Sequence, residues 1–172
     1  MMRSRAMKKN IAIFKDVVCE MEVYSSDIAM DYMGCHYVFC SEQCLERFRL
    51  NPHLYIGYPG SESPKHAGVE VLKKRKMKLA EALPPEVENM FIDYIGSMMG
   101  IHLVEVDGDS VTIVYDLMQA TEAQIEKKIT DIGLMLGDGM MEKIKRAFID
   151  YIEEIEVESL EARRGSGGCH HH

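Results

Sequence analysis

Tyr37-Val38-Phe39-Cys40-Ser41-Glu42-Gln43-Cys44-Leu45-Glu46-Arg47-Phe48, with Cys19 about twenty residues upstream and Asn51-Pro52 just downstream, decides how the rest of the chain is read. A Cys-x3-Cys pair that leaves an aromatic strand and enters a helix sets two sulfurs one helical turn apart. Both can then face one ion while a third thiolate closes over it. Met30 to Cys40 reads as a hairpin turning at Gly34, because His36-Tyr-Val-Phe39 is rich in strand formers. Ser41 is placed to cap a helix in which Cys44, Leu45 and Phe48 recur at spacings of three and four and which extends to Leu50, and Pro52 stops it. Cys44 falls in the first turn, where the helix dipole favours a thiolate.

The chain has 172 residues, 47% hydrophobic and 28% charged, which suits one domain or two small ones of a globular protein. No run approaches the ~18 apolar residues of a membrane span. Only Ile11 to Phe14 follows the basic N-terminus as an apolar stretch, too short for a secretory core, so a cytoplasmic location is expected. The five cysteines, Cys19, Cys35, Cys40, Cys44 and Cys169, are odd in number. In a reducing compartment they point to metal binding or redox work rather than a disulfide framework.

Charge divides the chain into three parts. Residues 1–60 are neutral, residues 61–83 carry +3 and residues 84–172 carry −11. Such a balance excludes nucleic-acid binding, because the cationic footprint that phosphates need is confined to Lys73-Lys-Arg-Lys-Met-Lys78, read as a solvated strand or linker. Glycine and proline between Gly57 and Gly68 mark a boundary. The expected organisation is a metal-binding module over 11–57, a linker over 58–70, a second module over 71–164 and a flexible tail over 165–172. The tail's Cys169-His-His-His172 is either native or an engineered remnant.

The first module is small enough to need a staple, and a ligand cluster would supply it. These residues resemble the YHS module, one of the TRASH group of cysteine-based metal-binding domains found beside heavy-metal transporters, sensors and some oxygenases. The likeness covers roughly Phe14 to Gly57. It rests on Asp16-Val-Val-Cys19-Glu20-Met21, Tyr37 to Cys44, and Asn51-Pro52-His53-Leu54-Tyr55. Val17 stands where the family has proline, and Glu20 where it has glycine. The resemblance implies Cys19, Cys40 and Cys44 as metal ligands, in agreement with their spacing. Cys35, His36, His53 or water remain for a fourth position; strand alternation puts His36 on the face of Cys40, so His36 or an open position is preferred. Three thiolates suit structural zinc and equally suit exchangeable copper(I).

In the second half, Lys76 to Ala82 alternates like a strand. Pro84-Pro85 opens a helix with Val87, Met90, Phe91, Tyr94, Ile95 and Met98 on one face, ended by Gly100. Ile101–Val106 and Val111–Tyr115 flank the tight turn Asp107-Gly108-Asp109. Thr121-Glu-Ala-Gln124 is a capping box for a helix with Ile125, Ile129 and Ile132 inward. The order β-α-β-β-α is the ferredoxin-like plan. The fold class expected is α+β: a small metal-stapled hairpin and helix module, then a ferredoxin-like module carrying a long C-terminal helix.

From about Met77 to Leu134 the chain also resembles the heavy-metal-associated domain of copper chaperones and metal-pumping ATPases, through Gly100 to Asp107, Val111 to Leu117 and Thr121 to Ile125. That family's Cys-x-x-Cys is replaced by Leu83-Pro-Pro-Glu-Val-Glu88, so its metal site does not carry over. Beyond Leu134 a helix to about Arg163 repeats Met141, Ile144, Phe148, Tyr151 and Ile155 as a seam, read as core, with pairing of a second copy as the alternative. The fourteen methionines, Met98-Met99 and Met140-Met141 among them, offer thioether ligands for copper(I) as an alternative, but at helical spacing they read as core filler.

The function expected is zinc or copper(I) binding in heavy-metal trafficking or homeostasis, as a metallochaperone or a transporter-associated protein docking a transporter or a similarly folded domain. The alternatives are a metal-responsive sensor or adaptor, or an interaction protein with purely structural zinc. No phosphate loop or paired nucleophile marks an enzyme.

Overall fold

The computed structural model describes residues 12–137 and 139–165. The elements are β1 (Phe14–Lys15), β2 (Glu22–Val23), β3 (Ala29–Tyr32), β4 (Cys35–Val38), α1 (Glu42–Leu50), α2 (His53–Ile56), β5 (Leu72–Lys78), α3 (Pro85–Gly96), β6 (Ile101–Asp107), β7 (Ser110–Asp116), α4 (Glu122–Asp131) and α5 (Met140–Gly165). The fold mixes helices with small antiparallel sheets, an α+β arrangement. Among the described residues no helix is long and apolar enough to cross a membrane. The expectations for Cys169 and the histidine tail, and for the basic residues before Ile11, fall outside the described residues.

The first half contains two ribbons, β1–β2 and β3–β4. The second turns through Met33 and Gly34, both at positive φ (49° and 78°), as a two-residue hairpin loop of the mirror-image type requires. Two-stranded ribbons are marginal alone. The β3–β4 ribbon is held by Phe48 of α1, which is fully buried and touches the rings of Tyr37 and Phe39 at 4.8 and 5.2 Å and, edge-on, Tyr32 at 5.8 Å. Leu50, two residues past Phe48 and so on the opposite side of α1, is exposed.

In the second half β7 lies between β5 and β6, all antiparallel. Val111, Ile113 and Tyr115 of β7 are buried against Phe91 and Ile95 of α3 and Ile125 and Ile129 of α4. The Thr121 capping box forms with Gln124 as read. Three readings of facing are corrected. Val87 and Met90 lie on the outer side of α3, which ends at Gly96 rather than Gly100. Ile132 is exposed just past the end of α4, where the chain turns away from the sheet. Leu136 makes a single antiparallel bridge to Leu79, extending the β5 edge by one residue before α5 begins.

The acidic helix α5 covers the basic strand. Lys73 pairs with Glu156 at 2.5 Å, and Arg75 reaches Glu122 and the buried Glu153, each at 3.5 Å, while the Tyr115 hydroxyl donates to Glu153. The run read as solvated is thus partly neutralised, Lys73 and Arg75 by carboxylates of α5 and Lys78 by Asp109 at 3.2 Å. Burial, and then the neighbouring Glu153 and Glu126 carboxylates, push the Glu122 carboxyl up to about 7. The seam residues Phe148, Tyr151 and Ile155 face outward, at 62%, 59% and 43% exposed, because Glu153 and Val157 occupy the inner face. The core reading of that seam is therefore corrected; its Met141 and Ile144 side chains lie outside the described residues.

One hydrophobic core runs through both halves. The buried turn at Leu117, Met118 and Ala120 explains how they join, since its carbonyls need donors. Arg47 donates to the Leu117 carbonyl (3.3 Å), the Tyr55 hydroxyl to that of Met118 (2.6 Å), and the Gln43 amide to those of Gln119 and Met99 (3.0 Å each). Helix α1, which carries Cys44, is by these bonds fixed to the second half.

Candidate metal centre

Three chain segments converge on one point. Asp16 leads out of β1 into a tight loop, closed by hydrogen bonds from the Glu20 N–H to the Asp16 carbonyl (2.8 Å) and from the Asp16 N–H to the Met21 carbonyl (2.9 Å). That loop presents Cys19. Cys40 lies two residues past β4, and Cys44 sits in the first turn of α1, where its N–H donates to the Ser41 hydroxyl at 3.3 Å. The sulfurs of Cys19 and Cys40 are 3.4 Å apart and those of Cys40 and Cys44 3.5 Å apart. Four sulfurs around zinc at ~2.3 Å would stand about 3.8 Å apart, so an ion needs only a few tenths of an ångström of spreading.

Asp16 completes the group. One ligand atom from each of Asp16, Cys19, Cys40 and Cys44 lies within 4.8 Å of all the others. Its carboxylate is fully buried and ties the two cysteine loops together. Oδ1 accepts from the Val18 and Cys19 N–H groups (2.8 and 3.4 Å), and Oδ2 from the Cys40 N–H (2.8 Å). Burial opposes its ionisation, but the bonds from Cys40 and Val18 outweigh burial and hold its pKa below the ordinary carboxylate value. Spacing alone had not singled out Asp16. The available signal was its position ahead of Cys19, since an aspartate commonly bonds the backbone two residues on.

None of the three side chains expected to compete for a fourth position joins the group. His36 bonds Asp31 at 2.7 Å, because β4 stops at Val38 and strand alternation does not carry through to Cys40. His53 is committed through Nδ1 to the Gly57 carbonyl (2.8 Å) and through Nε2 to the Tyr32 hydroxyl (3.2 Å), with its ring stacked on Tyr58. Cys35 is exposed at the hairpin turn.

The thiols are graded in exposure: Cys44 buried, Cys19 half-buried, Cys40 exposed. Burial, with smaller contributions from the Cys40 thiol and the Asp16 carboxylate, pushes the Cys19 thiol up to about 12. Burial raises Cys44 as well, against the Ser41 hydroxyl, and Asp16 and Cys19 add to the rise. The expectation that the helix dipole favours a thiolate at Cys44 is thus corrected, because desolvation inside the core exceeds the dipole effect. Without an ion, burial keeps the protons on Cys19 and Cys44, and an ion must displace them.

Residues 14–58 match the family model of the YHS domain. The matched segment contains all three sulfurs and Asp16. No curated protein matches the chain. Among solved structures the chain is similar to one described as a CsoZ metallochaperone, at 24% identity and a TM-score of 0.37, over 40% of this chain and 100% of that one.

Within the matched segment, Glu20 stands at φ 65°, a left-handed conformation that costs a residue with a Cβ roughly 1–2 kcal/mol. It is the position at which the YHS pattern has glycine, so the loop keeps its shape at the expense of strain. Glu20→Gly is expected to stabilise the protein by about 1 kcal/mol, read as a higher urea midpoint with metal binding retained. The exposed Lys15–Glu20 pair at 3.9 Å contributes little against this. An unchanged or lower midpoint would mean that the loop is not held in this conformation.

Proposed function

We propose that the chain is a metal-handling protein in which Cys19, Cys40 and Cys44 bind one zinc or copper(I) ion and pass it on, as a metallochaperone or a transporter-associated protein does. The observation that carries this reading is the gradient of exposure across three converged sulfurs. Cys44 and Cys19 anchor an ion from inside, while Cys40 leaves one edge open to a partner's thiolate, which an exchangeable site requires and a closed structural site does not. The match of residues 14–58 to the YHS domain supports metal binding independently.

The second half is read as a ferredoxin-like, heavy-metal-associated scaffold that serves for docking rather than for ligation. Its β5-β7-β6 order with intervening helices supports this, as does the Leu79–Leu136 bridge at the edge where a fourth strand would pair. The outward seam of α5 is the surface on which a transporter domain, or a second copy forming a homodimer, would pack. We read the protein as cytoplasmic and as a binding protein rather than an enzyme.

The test is native mass spectrometry of the full chain under reducing conditions, with zinc and copper(I) offered and then withdrawn by a competing chelator. Ions on Cys169 and the neighbouring histidines are counted in a Cys40→Ser chain and subtracted. One Cys40-dependent ion that transfers while the protein stays folded is the expected result. An ion that leaves only on unfolding would make the site a structural zinc and the protein an interaction module.

A further inference from the structure

The thiolate group has a neighbour from the other half of the chain. The Met99 thioether sulfur lies 3.4 Å from the Cys44 sulfur, the same spacing that separates Cys19 from Cys40. Resting on the reading of the three cysteines as an ion site, we propose that Met99 supplies the fourth ligand, giving an all-sulfur site that prefers copper(I) to zinc and that joins the two halves through the ion.

Met98 and Met99 follow α3 in sequence but have separate places. Met98 is buried in the core, whereas Met99 is only half-buried and turned toward the Cys44 sulfur. Its backbone is positioned from the cysteine side. Gln43, the residue next to Cys44, donates to the Met99 carbonyl at 3.0 Å, so α1 holds both a thiol and the segment that brings the thioether to it. The following turn is tight: Gly100 sits at φ +83°, and a Cβ there would stand 2.7 Å from the Gln119 side chain. A substitution at Gly100 would therefore shift the segment that presents Met99.

The competing fourth ligand is Asp16, whose oxygens each accept a backbone N–H at 2.8 Å, bonds that fix the Cys19 and Cys40 loops. Its remaining lone pair is a hard donor, and turning it onto an ion would strain those bonds. A neutral thioether needs no such rearrangement. It is also a soft donor, and adding it to three thiolates shifts preference toward copper(I) over zinc.

Two measurements on the full chain test this under anaerobic, reducing conditions. Chelator competition with copper(I) and separately with zinc is run on wild type, Met99→Leu and Cys40→Ser. X-ray absorption at the copper edge is recorded on selenomethionine-labelled, copper(I)-loaded protein. Met99→Leu is expected to lower copper(I) affinity by about tenfold and to leave zinc affinity unchanged, and the labelled protein to show copper–selenium scattering that the Met99→Leu substitution abolishes. Equal loss of both metals would make Met99 a packing residue and overturn the proposal, as would Cys40-dependent copper(I) binding with no copper–selenium scattering; in either case the three-cysteine reading stands. Binding indifferent to Cys40→Ser would overturn both.

Discussion

Replacing Cys40 with serine is expected to weaken zinc or copper(I) binding by about 100-fold or more, while Cys35→Ser leaves it unchanged. Cys40 is the sulfur that links the other two, at 3.4 and 3.5 Å. Serine puts a hard, protonated oxygen where a soft thiolate is needed, and zinc bound to peptides of this kind is worth roughly 10–16 kcal/mol over its whole ligand set, so one ligand accounts for several. Because Cys40 is exposed, the metal-free variant should unfold at the wild-type denaturant concentration, which separates loss of a ligand from loss of the fold. Cys35 is an internal control. It is equally exposed, only five positions away, and outside the group of converged ligand atoms. If Cys35→Ser cost as much as Cys40→Ser in a chelator titration, the ion would be held by a different set.

The approach of Cys40 to Cys44 was legible in the sequence because it depends on local geometry. The Gly34 turn, the Ser41 cap and the Cys-x3-Cys step into α1 are each dictated by a few adjacent residues, and each formed as read. The capping box at Thr121 and the turn at Gly108 belong to the same class. Where sequence reading went astray, the deciding partner was remote. Periodicity placed Phe148, Tyr151 and Ile155 on one face of a helix but could not say which face the sheet would cover. The charged face won, because Lys73 and Arg75 of β5 offered cations to Glu156 and Glu153. Met99 read as core by its spacing, and nothing within a helical turn of it reveals a cysteine 55 residues earlier in the chain.

The protonation of Cys44 shows the same limit in energetic form. Its place in a first helical turn is a local fact and favours the thiolate. Its complete burial depends on Phe48, Tyr55 and the second half, and burial favours the thiol more strongly. A sequence fixes the first influence and only hints at the second. Asp16 was missed for a related reason: its carboxylate reaches Cys40, 24 positions on, and that bond exists only once the ribbons have paired.

Asp16→Ala is expected to destabilise the metal-free protein by about 3 kcal/mol and to lower metal affinity by roughly 10–100-fold. The first effect follows from three backbone N–H groups, of Val18, Cys19 and Cys40, that share one buried carboxylate. Alanine leaves them without that acceptor, and each unsatisfied buried donor costs on the order of 1–3 kcal/mol, reduced here where water reaches the exposed Cys40. The second effect follows from the first, because Asp16 sets the distance between the Cys19 and Cys40 loops. Asp16→Asn should fall between: its oxygen can still serve one loop, but its amide nitrogen cannot accept from the other. Urea unfolding with and without metal separates the two roles of Asp16. A residue that only ligates the ion would leave the metal-free midpoint where it is and lower the metal-bound one alone. A residue that positions the loops lowers both, and the arrangement of its hydrogen bonds requires that second outcome.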